Sequence, residues 1–126
     1  RIDIHIEVPA VPYSELAADA TGTDSRQMRK QALAARAIQK ERFRGSRVRH
    51  NAQMTTRDVR QYCRLDDTCR RVLETSVQDL GLSARAHDKG LRVARTIADL
   101  EESATIDVAH LNEAVNYRML DRDIWT

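Results

Sequence analysis

Residues 1–8, Arg-Ile-Asp-Ile-His-Ile-Glu-Val, alternate apolar and polar side chains with a period of two, which puts Ile2, Ile4, Ile6 and Val8 on one face of a predicted strand. Pro9 and Pro12 end it. No second strand pattern follows, and a lone strand cannot satisfy its own backbone groups. The expectation is a strand whose partners belong to a core domain that precedes this chain, so that the chain is a piece of something longer.

From residue 25 the period changes to that of helices. A helix is predicted from Ser25 to about Phe43, opened by Asp24 or Ser25, with Met28, Ala32, Ala35 and Ile38 inward. Gly45 and Ser46 close it, and residues 44–54 read as an exposed basic loop. A short helix follows over 56–63. Asp66 or Asp67 opens the next, in which Cys69, Leu73, Val77 and Leu80 form one stripe, and Gly81 sits where a helix end favours a left-handed residue. Ser83 opens a helix over 84–102. Its wide apolar face is Leu91, Val93, Ala94, Ile97, Ala98 and Leu100. Arg85, Asp88, Arg92, Arg95 and Asp99, at spacings of 3, 4, 3 and 4, read as a solvated stripe opposite. Asp107 opens the last helix, with Val108, Leu111, Val115 and Met119 inward.

The fold class is therefore mainly α: a small antiparallel helical bundle preceded by one N-terminal β-strand. Residues 1–12 are assigned to the terminal strand, 13–24 to a loop and 25–126 to the helical domain, whose core includes Leu73, Val77, Leu91, Ile97, Leu111 and Val115. Gly90 is out of place in a strongly helical stretch, where glycine costs about 1 kcal/mol relative to alanine. Either something packs closely against it or the helix bends.

Composition narrows the class. With 126 residues one domain is expected, and aromatic residues are only 4%, so Leu, Ile, Val and Ala must fill the core. The net charge of +2 hides an asymmetry: between residues 26 and 49 nine basic side chains face Glu41 alone. Most are arginine, whose planar fork suits phosphate. A solvated helix face accounts for the same run. No run of 18 apolar residues predicts a membrane span, and the chain does not open on a signal peptide. Cys63 and Cys69 are spaced for neither zinc nor redox chemistry, and the four histidines are scattered, so no metal site is expected and a reduced cytoplasmic setting is.

Catalytic constellations are missing from these residues. The glycines are Gly22, Gly45, Gly81 and Gly90, which rules out a phosphate-cradling G-x-x-x-x-G-K-[ST] loop, and no G-x-S-x-G or H-E-x-x-H occurs. What remains is arginine at chosen places. Arg85 falls in the first turn of a helix, where free N–H groups and the helix dipole already favour an anion, and Arg92 lies two turns along. The competing reading pairs them with Asp88 and Asp99 on a wet surface.

The stretch LSARAHDKGLRVARTIADLE (82–101), the opening RIDIHIEVP (1–9), ARAIQKERF (35–43), Asn51-Ala52 and EAVNYRMLDR (113–122) resemble the C-terminal region of the magnesium-chelatase-like AAA+ ATPases, and among them the ComM competence-protein group. The resemblance implies a helical lid beside a phosphate-loop ATPase core, assembled with identical subunits into a ring, expected to be a hexamer, with ATP and Mg²⁺ as cofactors of the longer protein and none for this stretch by itself. It implies that Arg1 is the finger reaching a neighbour's nucleotide and that Arg85 is the lid's sensor; Arg92, by its place on the same stripe, is expected on the cofactor as well. Gly90 departs from the bulky aliphatic residue usual there. The function implied is a ring motor that remodels DNA, with Arg29, Arg36, Lys40, Arg44 and Arg47 toward nucleic acid. The alternatives are a metal-chelatase motor subunit, a non-enzymatic helical DNA-binding module, or a helical bundle that only binds protein.

Overall fold

The computed structural model describes residues 4–6, 8–14 and 22–125, with side chains up to Tyr117. Five complete helices lie among the described residues: α1 (Ser25–Arg42), α2 (Thr56–Tyr62), α3 (Asp67–Leu80), α4 (Ala84–Leu100) and α5 (Val108–Trp125), with a 3₁₀ turn at Asn51–Gln53. Their ends are where the side chains put them. Asp24 and Gln27 close a reciprocal box at the start of α1, the Gln27 N–H donating to Asp24 Oδ1 at 2.8 Å and the Asp24 N–H to Gln27 Oε1 at 3.3 Å. Thr55 and Asp58 do the same for α2, and Asp66 and Ser83 accept the Cys69 and Ala86 N–H groups at the heads of α3 and α4. Gly81 ends α3 at φ 61°, as its position in the sequence implies.

α4 is the hub. It packs against α5, α1, α2 and the 3₁₀ turn, while α3 leans on α5. The core joins Leu73, Leu91, Ala94, Ala98, Ile106, Leu111 and Ala114 to Phe43, Met54 and Val59, with Val77 and Ile97 partly buried at its margin. Val115 is also half-buried; Met119 lies outside the described side chains. Small residues where α4 is most enclosed let the helix axes approach closely.

Three expectations change. Among the described residues there is no strand: residues 4–6 carry no ladder, and the His5 N–H donates to the Tyr117 carbonyl at 3.1 Å, pinning the segment across α5. Among the described residues there is no second strand for it to pair with; residues 1–3 and 7 of that stretch, and 15–21 of the loop, lie outside the described residues. Met28 and Ala32, taken as inward, are exposed, Met28 at 55%, because every residue from 25 to 33 projects beyond the bundle and α1 packs through its C-terminal half, with Ala35 and Gln39 buried and Ile38 and Arg42 half-buried. The loop after α1 is not simply exposed either, since Asn51 and Met54 are buried.

Gly90 borders a small apolar hollow beside Leu73, Leu111 and Val115, and a Cβ built on it meets nothing within 4 Å. Close packing is therefore not its reason, and α4 runs through it as one helix.

Candidate functional site

The stripe on α4 divides in two. Its C-terminal part is buried: Arg95 is 4% exposed and Asp99 0%. Asp99 accepts two hydrogen bonds from Arg42, Nη2 to Oδ1 at 2.6 Å and Nη1 to Oδ2 at 2.8 Å, and a third from Asn51 Nδ2 to Oδ2 at 2.8 Å. Arg95 Nε stands 3.2 Å from Asp99 Oδ1, while its two Nη groups donate to the Ser103 and Ala104 carbonyls at 2.6 and 3.1 Å. Asn51 closes the network: Oδ1 accepts from Arg42 at 2.9 Å, Nδ2 also donates to Thr96 Oγ1 at 3.1 Å, and its N–H donates to Gln39 Oε1 at 3.0 Å. Burial acts to push the Asp99 carboxyl up, but the hydrogen bonds from Arg42 and Asn51 and the two guanidinium charges outweigh it and hold the group below the ordinary carboxylate range. This cluster joins α1, the 3₁₀ turn, α4 and the loop after it. The solvated-stripe expectation fails here because α4 sits in the middle of the bundle, so the face opposite its apolar one is covered by α1.

The N-terminal part of the stripe is open. Arg85 is exposed in the first turn of α4, whose head carries no acidic residue. Its proposed surface partner is taken elsewhere: Asp88 Oδ1 lies 3.1 Å from His87 Nδ1. Among the described residues no carboxylate or carbonyl holds Arg85. Arg92, seven residues on and so about 10 Å along the same side of the helix, is half-buried and donates Nε to the Met54 carbonyl at 3.1 Å. Its expected partner Asp99 belongs to Arg42 and Arg95. Arg85 and Arg92 thus share a side without sharing a pocket. Arg1 lies outside the described residues.

The basic residues assigned to nucleic acid are all exposed. Arg36, Lys40 and Arg44 surround one surface hollow with Arg49 and His50, over a floor of Ala37, Phe43 and Val48. Arg29 lies two helical turns before Arg36 on the same face of α1, and Arg47 stands outside the hollow. Arg42, in the middle of the run, faces the other way into Asp99.

The thiols are inert. Burial pushes Cys63 up to about 11, and Cys69 reaches about 11 through burial and the nearby Asp66 carboxylate. His110, 2% exposed, accepts the Asp107 N–H on Nδ1 at 2.9 Å and meets Glu101 Oε2 with Nε2 at 2.7 Å, which puts the proton of the neutral ring on Nε2. Its task is to hold the head of α5 to the loop after α4. Among the described residues no helix is long and apolar enough to cross a membrane.

α4, the hub of the bundle, thus presents an exposed arginine in the first turn of a helix capped by Ser83. The chain belongs to the family described as magnesium chelatase, subunit ChlI C-terminal, whose model matches residues 22–118. It is 38% identical over 123 residues to the competence protein ComM of Haemophilus influenzae, covering 97% of this chain and 23% of that protein. It is 39% identical over 123 residues to the uncharacterized protein YifB of Salmonella typhimurium, covering 97% of the chain and 24% of that protein. The chain thus spans about a quarter of the length of these relatives.

Proposed function

We propose that this chain is the C-terminal lid of a chelatase-related ring ATPase, and that Arg85 is the group through which the lid meets the nucleotide. The observation that carries the reading is Arg85 itself: exposed in the first turn of a capped helix, with its neighbour Asp88 held by His87. The free N–H groups and dipole of that helix end add to the guanidinium charge. Nucleotide phosphates and this surface suit one another from one side only, since the sequence carries no phosphate-cradling G-x-x-x-x-G-K-[ST] loop.

The chemistry supplied by Mg²⁺–ATP is phosphoryl transfer to water. What these residues add is charge and position. Arg85 binds phosphate oxygens and stabilises the charge that develops on them. Arg92, its Nε held by the Met54 carbonyl, adds a second positive charge on the same side of α4. The buried Arg42–Asp99–Arg95 cluster makes α1 and α4 one body, so movement at Arg85 moves the whole lid. Arg1 acts as the finger toward a neighbouring subunit in a hexameric ring, and the substrate of that ring is DNA rather than a porphyrin, supported by the cationic face of α1. ATP turnover by the full-length protein carrying Arg85→Ala tests the reading. Loss of turnover with folding intact supports it, and near-normal turnover sinks it.

A further inference from the structure

The positive run of α1 has two possible meanings, a solvated helix face or a surface built to hold something, and the geometry separates them. Here the chain after α1 is tied down at each step: the Ser46 N–H donates to the Phe43 carbonyl at 2.9 Å, the Val48 N–H to Ser46 Oγ at 3.1 Å, and the Arg49 N–H to Gln53 Oε1 at 2.9 Å. Phe43 is buried and packs edge-on against Tyr62, with ring centres 5.4 Å apart. Just behind, Arg42 and Asn51 anchor both arms of the turn to Asp99. The loop therefore returns Arg49 and His50 to the face from which Arg36, Lys40 and Arg44 project.

We propose that this hollow is a phosphodiester-binding site, which holds successive phosphates of a nucleic-acid backbone through Arg36, Lys40, Arg44 and Arg49. The proposal deepens the DNA branch of the reading above by naming the surface and its mode of contact. Arg36 and Lys40 are one helical turn apart, about 6 Å along the axis, and Arg44 continues the row past the helix end. One row of cations at such a spacing tracks a backbone better than it encloses a mononucleotide. Arginine forks favour phosphate. The lone carboxylate on the rim, Glu41, lies 3.5 Å from Arg44 with both side chains in solvent, a contact too weak to compete. The aromatic floor is covered, so no base stacks there and the site reads no sequence. Arg29 extends the row along the projecting part of α1.

The test is fluorescence anisotropy with the 126-residue chain, no nucleotide present, and a labelled 30-base-pair duplex of scrambled sequence. Binding is expected at low salt, and four phosphate contacts give a log–log salt slope of about −3 to −4. Arg36→Glu/Arg44→Glu is expected to weaken binding at least tenfold, with the helical circular dichroism unchanged because both side chains are exposed. Arg57→Glu/Arg71→Glu, an equal charge reversal on the exposed faces of α2 and α3, is expected to cost less than threefold. The proposal is overturned if no binding appears at low salt, or if the two reversals cost the same. It is likewise overturned if a polyglutamate peptide displaces the duplex at equal charge concentration, which would make the hollow a site for acidic protein. Because no ATP is involved, failure here leaves the Arg85 reading standing, and failure of Arg85 leaves this one.

Discussion

Asp99 and Arg42, 57 residues apart in sequence, meet in a two-point fork of 2.6 and 2.8 Å with the carboxylate fully buried. A buried ion pair contributes little net stability over a well-packed apolar substitute, but breaking it strands a charge. Its structural effect is register: one docking of α1 on α4 satisfies Asp99, Asn51 and Gln39 together.

Arg42→Ala and Asp99→Ala are each expected to destabilise the chain by about 3–5 kcal/mol, lowering the thermal midpoint by roughly 10–20 °C. The double substitution is expected to cost clearly less than the sum, because the second change removes a charge that the first left unpaired. Chemical denaturation of the four proteins measures the cycle, and additive losses would show that the two side chains act independently.

Stability is expected to fall on the acid side. The Asp99 carboxyl is held below its unfolded value, so its contribution is complete above about pH 4–5 and is lost as pH falls through the lower folded value. Asp66, lowered by hydrogen bonding from the Cys69 backbone N–H, slopes the same way. Unfolding free energy measured from pH 6 down to pH 3 should decline less steeply in Asp99→Asn than in the parent, and Asp66→Asn should remove a separate, smaller part. An Asp99→Asn profile parallel to the parent would contradict the assignment.

Gly90→Ala is expected to stabilise by about 0.5–1 kcal/mol, since the new methyl has open space and the helix gains propensity. Gly81→Ala meets no obstacle either, but its φ of 61° makes it destabilising by a similar amount. Thermal melts of the two variants should therefore move in opposite directions. A fall for Gly90→Ala would mean that the glycine serves a contact outside this chain.

Helix ends were legible because they are local: Ser83 and Gly81 stand where the pattern puts them, and Asp24 and Asp66 are each one of the two neighbouring candidates it offers. The core was legible for the same reason in Leu73, Leu91 and Leu111. The buried half of the α4 stripe was not. Arg92, Arg95 and Asp99 repeat at helical spacing whether they face water or a partner helix, and only the docking of α1 decides. The usable signal was on other elements: Asn51, polar and uncharged beside a run of arginines, and Gln39 on the otherwise small face of α1. Met28 erred the opposite way, since an inward stripe can outrun the helix it packs against.

A purified 126-residue chain is expected to show no Mg²⁺-dependent ATP turnover above background, because arginines stabilise charge in phosphoryl transfer but neither cradle the phosphates nor hold the metal. Phosphate release assayed with ATP at millimolar concentration checks this, and turnover sensitive to Arg85→Ala would place a complete site within these residues.

The central claim is tested most directly by ATP turnover measured beside the thermal midpoint for Arg85→Ala in the full-length protein. Arg95→Ala belongs beside it as a contrast, because Arg95 is buried against Asp99 and the loop carbonyls. The account predicts that Arg85→Ala keeps its midpoint within about 2 °C, as an exposed substitution should, while turnover falls by about 100-fold or more. It predicts that Arg95→Ala lowers the midpoint by roughly 10 °C or more. Near-normal turnover in Arg85→Ala, or a loss of turnover that merely follows a loss of midpoint, would contradict it.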